Sequence, residues 1–364
     1  LVKLFGRVRG GYAVVAVIIG LMLAASTGIV GASVVLPGVI ALPVMIKNGY
    51  QKAYAVAVPT SAGTLGILIP PSIMLVILAD QISHQDADAG DLFMGAIFPG
   101  LILGVLYILY VLISAYLFPK LAPAPKDAPP ISFAIVFDVL KSVVLPLLLI
   151  VAVLGSIFSG IATTTEASGI GAAGALLLAL RRGRLNFQVM HETLVKTTRT
   201  TAFIFGIFLG ATAFSIVLRN NGGDEVIWNA IEQIPFGNHG KVIVILCFVF
   251  LLGFILDWIE ISLIILPLIK EPILGMGFSL VWFTIMFAVC LQTSFLTPPV
   301  GFSLFYIRNK NVCRPEFGIG IGDIYKGVVP FIIIQVVVLA AIFYWEELVT
   351  WLPAYVEAAQ RAGG

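Results

Sequence analysis

SAGTLGILIPPS, residues 61–72, lies between apolar runs at 53–59 and 73–79 and packs two Gly, two Ser, a Thr and a Pro-Pro pair into twelve positions. Pro70 and Pro71 offer no backbone donor and clash with the preceding turn, while Gly63 and Gly66 admit non-helical angles, so a helix entering this stretch has to break. The flanking residues are apolar enough to lie in a bilayer, where the freed carbonyls and amides find no water. Such backbone persists in hydrocarbon only where protein or a solvated cavity satisfies it. The stretch therefore reads as an ion or solute site.

Working outward, the same anomaly recurs at residues 293–301, TSFLTPPVG, again inside apolar sequence. Upstream of each lies another matching piece, Ile40-Ala41-Leu42-Pro43 ending at Lys47 and Ile264-Ile265-Leu266-Pro267 ending at Lys270. Two related halves, each with an interrupted helix, are the sequence mark of a secondary transporter built from structural repeats.

Composition sets the solvent. Hydrophobic residues make up 60% of the 364 and charged ones 11%, with a mean hydropathy of +1.07, so the chain reads as an all-α polytopic membrane protein surrounded by a lipid bilayer. A net charge of +2 leaves no footprint for nucleic acid. Cys247, Cys290 and Cys313 are isolated, which suggests neither a disulfide framework nor a zinc site, and no cofactor is expected. An enzyme would need a nucleophile or metal constellation that the spans lack.

The expected layout follows from apolar runs and the positive-inside rule. Residues 1–118 form a first repeat: a re-entrant hairpin over 11–46 with its tip near 28–33, a broken helix over 53–82 and a span over 92–118. One long kinked helix is the alternative for 11–46. A Pro-rich linker covers 119–135. Residues 136–346 form the second repeat, with spans at 136–158, 161–180 and 200–218, an outer loop, a hairpin over 242–269 tipped by Asp257-Trp258, a broken helix over 283–307 and a last span over 328–346. A C-terminal tail covers 347–364, and residues 185–198 read as a helix lying on the inner face. The two hairpins open from opposite sides, so the repeats are inverted. Three spans precede the second hairpin in its half and none the first, which implies about three more helices before Leu1.

Half-helix N-termini point free amides at anions, and unwound carbonyls and hydroxyls coordinate cations. Of four polar breaks, 26–33, 61–64, 253–262 and 293–297, three carry the candidate donors Ser26, Thr27, Ser33, Ser61, Gly63, Thr64, Thr293, Ser294 and Thr297, although small residues also permit close helix packing. Asp257 stands out because an intramembrane acid is expensive and rarely lacks a partner, and at a hairpin tip it could complete a sodium site. Glu260 is a second acid near that tip. Glu166, in ATTTEASGIGAAG, is expected to be buried. His84, His191 and His239 are expected in loops without a role, and Tyr50, Trp228, Trp258, Tyr325 and Trp345 at the membrane interfaces.

Five stretches in order, GASVVLPGVIALPVMIKNGY (31–50), SAGTLGILIPPS (61–72), IATTTEASGIGAAGALLLA (161–179), ILDWIEISLIILPLI (255–269) and QTSFLTPPVGFSLFYIRN (292–309), resemble the large membrane subunit of tripartite ATP-independent periplasmic (TRAP) transporters. The resemblance covers nearly the whole chain apart from the expected N-terminal spans. It implies an ion-transporter-superfamily fold of the elevator type in a bacterial-type inner membrane, and sodium-driven uptake of small carboxylates with sodium ions as coupling ions. It further implies a small TRAP membrane subunit and a periplasmic binding protein that delivers the solute. One sodium site would use Ser33, Gly63 and Thr64, and the other Asp257, Thr297 and neighbouring carbonyls such as that of Pro298. Solute would sit between them, near Ser33, Ser61, Thr293 and Ser294. A self-sufficient sodium/dicarboxylate symporter of the same superfamily is the alternative.

Overall fold

The structure, a computed structural model, describes residues 8–28, 30–82, 88–124 and 133–363. His84, residues 125–132 of the expected linker and the side chains of Ser26 and Thr27 lie outside that description. Among the described residues the regular structure is helical throughout. Four helices among the described residues, Val30–Lys47, Ala89–Leu117, Phe187–Asn220 and Ile321–Tyr344, are long and apolar enough to cross a membrane, and shorter apolar helices accompany them. Leu101, Val105, Leu109 and Ile113 form an exposed apolar stripe at helical spacing, a surface suited to lipid rather than water.

The first hairpin consists of α1 (Gly11–Thr27) and α2 (Val30–Lys47), which pack on each other. Gly28 divides them: at φ +59° it caps α1, donating its N–H to the Ala24 carbonyl at 3.1 Å. A Cβ there would lie 2.7 Å from the Ile73 nitrogen, so the tip presses on the chain just beyond the first break. Two helices rather than one continuous helix therefore cover this stretch. The interrupted helix follows as α3 (Lys52–Thr64), a 3₁₀ turn (Leu65–Ile67), an irregular segment with a cis Pro70-Pro71 bond, and α4 (Ile73–Ile82). The chain continues through α5 (Ala89–Leu117), α6 (Phe133–Phe158) and α7 (Thr164–Arg181).

Next comes α8 (Phe187–Asn220), where the expected surface helix over 185–198 and the span over 200–218 are one continuous helix. No Pro or Gly occurs between positions 187 and 205 to divide it. At 34 residues it is roughly 51 Å long, beyond the ~30 Å hydrocarbon core, so its polar first turns project past the membrane. His191 belongs to this helix rather than to a loop, and the expected outer loop contains α9 (Gly223–Glu232).

The stretch expected as the second hairpin comprises α10 (Asn238–Leu252), which includes His239 and so places it in a helix rather than a loop, and α11 (Trp258–Gly275). The second interrupted helix is α12 (Leu280–Leu296), a break at 297–301 with a cis Pro298-Pro299 bond, and α13 (Phe302–Ile307). The chain closes with α14 (Ile321–Tyr344) and α15 (Glu347–Gly363); the expected tail is thus helical and packs on α5.

Three further expectations are corrected. Glu166 is exposed on this chain: with Thr163 it forms a capping box at the start of α7, its carboxylate accepting from the Thr163 N–H at 2.8 Å and hydroxyl at 2.9 Å. A Thr three residues ahead of a Glu at a helix start is the pattern for that cap, and it outweighs the apolar average that suggested burial. Trp258 is buried at the foot of α11, and Tyr50 is buried between Tyr12 and Tyr54, so neither is a membrane-interface anchor here.

The core is built around the interrupted helices, with α12 buried along its whole length and α3 from Tyr54 onward. The first segment of each packs on its own hairpin, α3 on α1 and α2, and α12 on α10. The second segment of each packs on the other hairpin, α4 on α11 and α13 on α2.

Candidate functional site

Each break is closed by a seryl hydroxyl that follows the Pro-Pro pair. Ser72 Oγ donates to the Ile67 carbonyl at 2.7 Å and Ser303 Oγ to the Phe295 carbonyl at 2.6 Å, and both serines are fully or almost fully buried. Across the second break the Tyr325 hydroxyl also donates to the Pro299 carbonyl at 2.8 Å. These groups answer the question the sequence raised, namely what replaces the lost helical hydrogen bonds. Ser72→Ala and Ser303→Ala are each expected to destabilise the folded chain by about 1–3 kcal/mol, because each strands a buried carbonyl. Thermal melts in detergent check this; a change within error in both would mean that the carbonyls find other partners.

The first candidate cation site assembles where α3 meets the first hairpin. A Cβ on Gly63 would fall 2.5 Å from the Ser33 carbonyl oxygen and 2.6 Å from Val34 Cα, and one on Gly66 would fall 3.0 Å from Ser33 Oγ. Backbone therefore lies directly on backbone, and Ser33, Gly63 and Thr64, all fully buried, share one neighbourhood. The Thr64 hydroxyl donates to the Ser61 carbonyl at 2.8 Å, which leaves its oxygen lone pairs to accept. Ser61 is buried and its Oγ has no hydrogen-bond partner.

The second half mirrors this with the roles exchanged. Gly253, just past α10, would place a Cβ 2.4 Å from Ser294 Oγ, so here the glycine sits on the hairpin and the serine on the interrupted helix. Ser294 Oγ donates to the Phe250 carbonyl at 2.9 Å, Thr293 Oγ1 to the Val289 carbonyl at 2.8 Å and Thr297 Oγ1 to the Thr293 carbonyl at 2.7 Å. Thr293 also lines an apolar cleft of about 520 Å³ between α10, α12 and α14.

Asp257 precedes α11 at its N-cap position, half-buried, and faces a cavity of about 140 Å³. That cavity is lined from the first hairpin by Val30 and Gly31, from the start of α4 by Ile73, from the middle of α8 by Thr200, Phe203 and Ile204, from the start of α11 by Trp258 and Ile259, and around the second break by Phe295 and Tyr306. Thr297 and Pro298 are not part of its wall. Three helix N-termini, those of α2, α4 and α11, thus converge on one small chamber that contains a single carboxylate. Glu260 lies one turn into α11 with one carboxylate oxygen buried and unpaired.

Sequence reading missed Tyr306, which stacks over Gly31 at the edge of this chamber, where a Cβ would approach its ring to 3.3 Å. It also missed Tyr107, Gln292 and Gln335, all fully buried in otherwise apolar helices. A lone amide in a membrane helix was the available signal, since such a group seldom goes without a partner.

Comparison with known proteins agrees with the geometry. Residues 1–348 match the family model described as "Tripartite ATP-independent periplasmic transporter, DctM component". A C4-dicarboxylate TRAP transporter large permease protein DctM of Pseudomonas aeruginosa is 28% identical over 350 residues, covering 96% of this chain and 77% of the relative. An isethionate TRAP transporter permease protein DctMQ of Oleidesulfovibrio alaskensis is 27% identical, covering 94% of this chain and 52% of that protein. An ectoine/5-hydroxyectoine TRAP transporter large permease protein UehC of Ruegeria pomeroyi is 26% identical, covering 95% and 78%.

Proposed function

Because the chain belongs to the DctM component family of tripartite ATP-independent periplasmic transporters, we propose that it is a sodium-coupled large permease subunit that imports small, negatively charged solutes through the chamber at Asp257. The family is one of membrane-embedded transport subunits, and it works with a small membrane subunit and a periplasmic binding protein. The fused DctMQ relative is consistent with such a membrane partner. Here the binding protein would deliver the solute to the chain in the inner membrane.

The observation that carries the reading is the meeting of three helix N-termini and one acid in a single cavity. Each N-terminus presents about half a positive charge and free N–H groups, which favours a carboxylate or sulfonate. Asp257 opposes that anion. At an effective dielectric of about 20, like unit charges about 6 Å apart repel by ~3 kcal/mol, on the order of a hundredfold in affinity. A cation held beside Asp257 removes the repulsion, so each of cation and solute strengthens binding of the other by about that factor, the coupling that symport requires. Hydroxyls and carbonyls at Ser33, Gly63 and Thr64 would hold a second sodium ion. The exchanged packing of α4 and α13 supports inverted repeats with re-entrant hairpins, moving as one elevator-like body.

The three relatives are named for C4-dicarboxylates, for isethionate and for ectoines. Main-chain N–H groups recognise negative charge without reading the rest of the molecule, so selection among such cargoes is left to the binding protein. The test is uptake into proteoliposomes containing the chain and its small membrane subunit, with and without loaded binding protein and a sodium gradient. Uptake that needs neither would overturn the reading, and uptake that needs sodium but no binding protein would favour a self-sufficient symporter. Thr64→Val, which keeps volume and removes the acceptor oxygen, is expected to raise the half-saturating sodium concentration at least tenfold. Unchanged sodium dependence would remove Thr64 from the site.

A further inference from the structure

Four fully buried polar side chains meet where α3, α5, α12 and α14 converge: Thr64, Tyr107, Gln292 and Gln335. The Gln335 amide nitrogen donates to the Tyr107 hydroxyl at 2.8 Å and to Thr64 Oγ1 at 3.3 Å, one hydrogen to each. The Thr64 proton is already directed at the Ser61 carbonyl. Gln335 therefore fixes which way the Thr64 oxygen faces, and it does so from the last membrane helix rather than from either hairpin. On the other side, Gln292 of the second interrupted helix lies close enough to Tyr107 to interact with its hydroxyl, but neither of its polar atoms, nor Gln335 Oε1, makes a hydrogen bond of full geometry.

Buried amides without partners are rare and need an explanation. The orphaned set contains hydrogens (Gln292 Nε2) as well as lone pairs (Gln292 Oε1, Gln335 Oε1). A cation would satisfy only the lone pairs and an anion only the hydrogens, whereas a water molecule both donates and accepts. We propose that Gln335 and Gln292 are positioning residues, an amide pair closed by bound water, which joins the two interrupted helices and holds the Thr64 oxygen for the cation. The inference rests on the sodium-coupling reading above and adds to it a physical connection between the two halves, so that occupancy of one cation site is felt at the other.

The test uses proteoliposomes containing the chain and its small membrane subunit, with loaded binding protein and a sodium titration. Gln335→Met and Gln292→Met keep side-chain length, and a melt in detergent reports folding. Each is expected to raise the half-saturating sodium concentration at least fivefold and to lower the Hill coefficient for sodium toward one, with the half-saturation for loaded binding protein unchanged. The double variant should be no worse than the poorer single one, because both cut one network. Tyr107→Phe, whose ring keeps its edge-on packing against Phe331, should behave the same way and serves if a methionine variant does not fold. Folded variants with wild-type sodium titrations, or additive losses in the double variant, would overturn the proposal. Wild-type uptake indifferent to sodium would overturn it together with the coupling reading, and is read before any substitution is made.

Discussion

Gly63→Ala is expected to abolish uptake, at least tenfold and down to the background of empty vesicles, and to lower the melting temperature of the purified chain. A methyl group at this position would meet the Ser33 carbonyl oxygen and Val34 Cγ2 at 2.5 Å and Val34 Cα at 2.6 Å. Two of those three atoms are backbone, so no rotamer change clears the way. Either the hairpin or the interrupted helix has to shift, and overpacking of this kind costs typically ~1–3 kcal/mol. The functional loss should exceed what the stability loss alone explains, because the shift carries Ser33 away from Thr64. Gly322→Ala is the control, since nothing lies within 4 Å of a Cβ there. A Gly63→Ala protein that transports normally would show that the close approach of α3 to α2 is not what builds the site.

Asp257→Asn should abolish the stimulation of uptake by sodium, a factor on the order of a hundred, while leaving insertion into the membrane and detergent stability near wild type. The amide occupies the same space at the mouth of the chamber but presents no net charge for the cation to neutralise. The size of the effect follows from the repulsion estimated above, on the order of two powers of ten in affinity. A second consequence separates this account from a merely structural one. With the negative charge gone, the solute no longer depends on a cation for entry, so uptake without sodium should rise above that of the wild type and be insensitive to added sodium. Residual uptake that keeps the wild-type sodium dependence would place the coupling ion elsewhere.

Much of this architecture is legible in the residues because its signals are local. A Pro-Pro pair inside an apolar run breaks a helix whatever surrounds it, so both interruptions and the positions of Ser33, Gly63 and Asp257 follow from short stretches. The capping box at Thr163 and Glu166 is equally local, and there the apolar average of the span misled. What stays hidden depends on distant partners. Ser72 and Ser303 look like ordinary polar residues until the carbonyls of Ile67 and Phe295 are seen to need them. Gln335 is separated by more than two hundred positions from both Thr64 and Tyr107, and no periodicity announces such a bond.

The exchange of segments, with α4 resting on the second hairpin and α13 on the first, bears on how the chain is made. α4 leaves the ribosome with its break already formed, but all of α5–α10 must be synthesised before α11 exists to cover it. At roughly 5–20 residues per second that interval is on the order of ten seconds or more. During biogenesis the first half is therefore a half-built module with the packing face of α4 (Met74, Leu75, Leu78 and Ile82) uncovered. Whatever shields that face in the interval, rather than the intrinsic stability of either half, should set the yield of folded carrier.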